Sequence, residues 1–136
     1  MRTLNFLVFL TVILNACILI GAGHGIGVLF IYEILSFKFI FVDDVNILGS
    51  YAERLIPIAF ISCICQILLL TSLITKPWKL RKVFINSFCL ILLVVFLLLI
   101  KDFPESSIDQ LSLTGGIPFL ISSIFLLIKV NFTIRE

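Results

Sequence analysis

Thr75-Lys76-Pro77-Trp78-Lys79-Leu80-Arg81-Lys82 is the stretch whose reading decides how this chain is arranged. It sets four cations, Lys76, Lys79, Arg81 and Lys82, between two long apolar runs at 55–75 and 83–100. Cations close to the ends of membrane helices are retained on the cytoplasmic side, so 76–82 reads as a cytoplasmic loop. The apolar runs on either side then read as membrane helices that meet there.

The composition agrees with that reading. Hydrophobic residues make up 61% of the chain and charged residues 13%, with a mean hydropathy of +1.27. A soluble domain carries about 25% charged residues. The 136 residues suffice for a single domain covering 1–136. The net charge of +2 is small, and its cations lie at helix ends instead of along one face, which excludes nucleic acid as a partner.

Moving outward, 111–128 reads as a further span, with Gly115, Gly116 and Pro118 expected to make its start irregular. The polar segment 101–110 between it and 83–100 reads as an external loop. Residues 4–22 read as the first span, close to the roughly 20 residues a bilayer core requires. A secretory signal is the competing reading of this stretch, but the chain stays apolar beyond Cys17. Pro57 is expected in the first turn of 55–75, where its missing N–H costs little.

The fold predicted is therefore an all-α integral membrane bundle of four transmembrane helices, with external segments at 23–54 and 101–110. Within the first of these, Tyr32, Glu33 and Ser36 fall on one side of a helical wheel, so 26–42 is expected to lie at the membrane surface as an amphipathic helix. Two alternatives for it are a short strand over 37–42 and a fifth span, which would place Glu33 and Lys38 in the membrane at about 2.5 to 3.5 kcal/mol each. Four spans put both termini in the cytoplasm with Arg2, Lys129 and Arg135, leaving Lys38, Arg54 and Lys101 as the external cations. The location expected is the cytoplasmic membrane.

Gly21, Gly23, Gly25 and Gly27 alternate with Ala22, His24 and Ile26. On a helix they give two four-spaced pairs for close helix packing, although the same glycines also break helices. Asn15, Gln66, Ser122 and Ser123 all count to mid-depth and are expected to form an interhelical polar layer. Cys17, Cys63, Cys65 and Cys89 lie in apolar runs and read as packing residues. One histidine and no paired cysteine motif leave no metal site and no cofactor to expect.

Two functional classes follow. The first is a non-catalytic accessory or assembly subunit of a membrane complex, partnered by membrane lipids and by other subunits or copies of itself. The second is a membrane-embedded enzyme or binding protein for a lipid or isoprenoid-like molecule. There His24 would serve as acid or base, with Glu33 or Asp43 as its carboxylate partner. Asp43 and Asp44, beside Asn46 and Gly49, otherwise read as solvated turn residues.

Overall fold

The computed structural model describes residues 2–22, 25–41 and 46–132. The chain is mostly helical, with α1 (Arg2–Ala16), α2 (Leu29–Phe39), α3 (Tyr51–Thr71), α4 (Trp78–Leu99) and α5 (Ser107–Phe132). Two short strands, β1 (Leu19–Ala22) and β2 (Gly25–Val28), stand between α1 and α2. Three of the helices, α3, α4 and α5, are long and apolar enough to cross a membrane.

Helix α4 illustrates what holds the bundle together. Ile85, Cys89, Leu92, Phe96 and Leu99 recur at alternating intervals along one stripe and are buried. They pack between α3 and α5, where Phe96 meets Phe119 edge to face at 5.6 Å. The outward side of the helix is apolar as well, with Val83, Leu90, Val94 and Leu97 exposed. An exposed surface of this kind is an interaction surface in water and the solvated face in lipid. Gly116 of α5 lets the Phe96 ring sit directly on the α5 backbone, where a Cβ would collide with it.

The three long helices occupy the spans expected at 55–75, 83–100 and 111–128, with shifted ends. The basic segment is a loop only as far as Pro77, which precedes the first residue of α4. Lys79, Arg81 and Lys82 thus belong to the first turns of α4 instead of a loop over 76–82. Arg81 is buried and donates to Asn5 Oδ1 at 2.5 Å, tying the start of α4 to the start of α1. We call this the basic end of the bundle. The opposite end, with Glu53, Asp102, Glu105 and Asp109, is the acidic end. Because α3 already begins at Tyr51, Pro57 lies in its second turn and withholds an N–H from the helix ladder. Helix α5 runs without interruption through Gly115, Gly116 and Pro118.

The first span departs most from expectation. Helix α1 has 15 residues, about 22 Å at 1.5 Å per residue, which is short of a bilayer core of roughly 30 Å. After Ala16 the chain becomes an antiparallel hairpin in which Ile20 pairs with Gly27 and Gly21 with Ile26. Gly21, Gly25 and Gly27 are therefore hairpin residues and not a helix-packing motif; Gly23 lies outside the described residues. The cause is local: glycine costs a helix about 1 kcal/mol per residue relative to alanine, and four fall within seven positions. Close approach does occur, but between a strand and a helix. Leu19 of β1 crosses α5 at Gly115, where a Cβ would lie 2.8 Å from the Leu19 amide nitrogen, and Gly21 lies against Ile108.

Helix α2 starts deep and runs back toward the acidic end. The Leu29 amide donates to the Ile18 carbonyl at 2.9 Å, and α2 then packs antiparallel on α3 through Glu33 with Gln66 and Phe37 with Phe60. A helix lying on the membrane surface would turn its polar side to water. Here Glu33 (2% exposed) and Ser36 (0%) face inward, while Phe30, Ile31, Ile34 and Phe37 are exposed. The amphipathic segment is thus turned inside out, which is the favourable sense when the surroundings are lipid. Phe37 to Phe39 are helical, so no strand forms there.

Candidate functional site

At the acidic end the buried cation Arg54 gathers the helix termini. Its Nη1 donates to Asp102 Oδ2 at 2.8 Å and to the Gly49 carbonyl at 3.2 Å. Its Nη2 donates to Asp109 Oδ2 and to the Leu99 carbonyl, the last of α4, at 3.2 Å. Arg54 and Asp109 are both fully buried, and the Asp102 amide also donates to Asp109 at 3.0 Å. One buried guanidinium therefore holds a buried carboxylate, Asp109, and a half-exposed one, Asp102, which the Lys101 ammonium also approaches at 4.0 Å. Sequence reasoning placed Arg54 among the external cations and missed this role. The available signal was a lone arginine at the head of a span, opposite a loop rich in acids.

Tyr51, one turn earlier on α3, connects this cluster to the hairpin. The Arg54 guanidinium lies 5.3 Å from the centre of its ring. Its hydroxyl bonds Ser112 Oγ of α5 at 2.8 Å and also meets the backbone of Gly21. The backbone of β1 thereby finds a polar partner at Gly21.

Beside Tyr51 is a cavity of about 840 Å³, bounded by the hairpin, by α2 and by the first turns of α3 and α5. Ile26, Leu55, Ile56, Ile108 and Leu111 give it apolar walls. Among the described residues its polar side-chain atoms are the hydroxyls of Tyr32, Tyr51 and Ser107. Gly25 faces open space, so strand backbone forms part of one wall. Ligand sites commonly enclose about 300 to 1,000 Å³, mostly apolar with a few convergent polar groups.

The residues expected at mid-depth separate into two groups. Gln66 Nε2 donates to Asn15 Oδ1 at 2.7 Å and to Glu33 Oε1 at 2.6 Å, so Glu33 is brought to the residues expected to form the polar layer. Ser122 instead bonds Thr11 of α1 at 2.8 Å, and Ser123 turns back to the Phe119 carbonyl of its own helix at 2.8 Å. His24 and Asp43 lie outside the described residues, and Glu33 faces Gln66. Glu53 accepts from the Ser50 amide at 2.8 Å at the start of α3. Among the described residues no three His, Cys, Asp or Glu side chains come together as a metal site. The four cysteines are free thiols.

No family model, curated protein or solved structure matches the chain.

Proposed function

We propose that the chain is a membrane-embedded binding protein for an amphiphile with an apolar chain and an uncharged polar head, of the lipid or isoprenoid-like class. The cavity beside the hairpin carries this reading. Its aliphatic walls suit a hydrocarbon chain, and its hydroxyls suit a head that donates and accepts hydrogen bonds. No cation lines it among the described residues, and neighbouring Arg54 is already matched by two carboxylates. A phosphorylated head would have no cation among the lining residues to offset the cost of burying its charge.

In the proposed topology α1 and β1 together make a fourth crossing. The 15 helical residues supply about 22 Å and the four strand residues about 13 Å, enough for a core of roughly 30 Å. The basic end, with Lys76, Lys79, Arg81 and Lys82, faces the cytoplasm, and both termini share that side of the cytoplasmic membrane. The cavity then opens at the outer face, and β2 with α2 dips inward from that face and returns. The second reading, an accessory or assembly subunit working with other membrane subunits or copies of itself, would use this bundle as a scaffold and leave the cavity empty.

The test is retention of ligand by purified full-length protein in nanodiscs. A radiolabelled long-chain polyprenol or diacylglycerol should be held at least about tenfold more tightly than the same chain bearing a phosphate, a difference of about 1.4 kcal/mol. Ala52→Trp, which places an indole in the cavity from an exposed position on α3, should remove retention without changing helix content. Equal retention of both heads, or retention indifferent to this substitution, would overturn the proposal.

A further inference from the structure

Glu33 takes no part in the proposed amphiphile site, yet it is buried, and among the described residues only neutral groups bond to it. From α3 it meets the Gln66 amide, with Cys63 in electrostatic range; from α1 it is approached by Asn15 through that same amide. The strand β2 has no titratable residue, and on α2 itself Lys38 lies over the Phe39 ring at 5.5 Å. Asn15 belongs to the last turn of α1, so the negative end of that helix dipole is directed to the same place. A carboxyl oxygen, a carboxamide oxygen and a helix C-terminus all favour positive charge, and a single amide nitrogen is what now separates the two side-chain oxygens. Reversing the Gln66 amide would present a third oxygen, an arrangement that repels unless a cation sits between them.

We propose that Glu33, Asn15 and Gln66 form a buried site for a small monovalent cation, a proton or Na⁺, held where α1 ends and α2 turns back into the bundle. Ionisable groups within membrane helices mark ion and proton sites, and helix C-terminal ends beside broken helices are where such ions are held. The site stands independently of the amphiphile reading, because its residues do not line the cavity.

The test uses full-length protein in liposomes and the apolar reagent dicyclohexylcarbodiimide. A protonated carboxyl adds its O–H across one C=N bond of the reagent, and the adduct rearranges to a stable N-acylurea with nothing lost; an ionised or Na⁺-bound carboxylate does not react. Mass spectrometry should place the adduct on Glu33, with a rate that falls about tenfold for each pH unit above the midpoint of the group. Glu33→Gln should remove that adduct. Replacing choline chloride by NaCl at fixed pH distinguishes the occupants. Slower labelling in NaCl identifies Na⁺ as competing with the proton, and an unchanged rate identifies a proton site. No adduct at Glu33 at any pH, or a yield independent of both pH and salt, would overturn the proposal.

Discussion

Replacing Arg54 by alanine is expected to destabilise the protein by about 3–5 kcal/mol, the cost of removing one member of a buried ion pair. The effect is large because Asp109 is fully buried and would lose the guanidinium that bonds it, while Asp102 is half exposed and could turn to water. The Gly49 and Leu99 carbonyls would lose a donor as well, loosening the end of α4 and the approach to α3. Unfolding of the detergent-solubilised protein by added SDS, followed by circular dichroism, measures the difference. A triple variant, Arg54→Met with Asp102→Asn and Asp109→Leu, should recover most of the loss, because buried ion pairs are often replaced by apolar groups at little net cost. If Arg54→Ala alone were as stable as the parent, the clamp would not be holding the acidic end together.

The second large effect is expected for Gln66→Leu, about 2–4 kcal/mol in the same assay. One amide serves two buried acceptors, Asn15 Oδ1 and Glu33 Oε1, and leucine would leave both without it. Ser122→Ala provides the comparison. It breaks a single hydroxyl pair with Thr11 and should cost about 0.6 kcal/mol, the average for hydrogen bonds between membrane helices. Equal losses in the two variants would mean that Glu33 finds another donor when Gln66 is gone.

Helices α3, α4 and α5 could be read from the sequence because each is a continuous apolar run between charged segments, and lipid admits few alternatives to a helix for such a run. Their ends were less legible. Arg54 looks like a loop residue until burial and its carboxylate partners draw it into α3, and Arg81 until burial and its bond to Asn5 draw it into α4. The hairpin was harder still. Between Leu4 and Val28 the apolar residues are so dense that a period of 2 cannot be told from a period of 3.6, and only the alternating glycines speak against a helix. What makes a strand tolerable at that depth is distant in sequence: Gly115, Ile108 and Tyr51 cover β1.

The candidate site shows the same division. Asn15 and Gln66 were singled out together, but Glu33 was assigned to the membrane surface, since nothing local reveals that α2 turns back into the bundle. Gln66 reaches Glu33 and Asn15 across 33 and 51 positions of the chain respectively. The cavity has no motif either. Its walls come from four separate stretches that share only their height at the acidic end.

The most direct test is solid-state NMR of the uniformly labelled protein in lipid bilayers, reading backbone chemical shifts across residues 4–28. Helical shifts should end at Ala16, strand shifts should cover Leu19 to Ala22 and Gly25 to Val28, and cross-strand contacts should join Ile20 to Gly27. Helical shifts continuing without a break through Ala22 would contradict the hairpin, and with it the cavity and the inward return of α2.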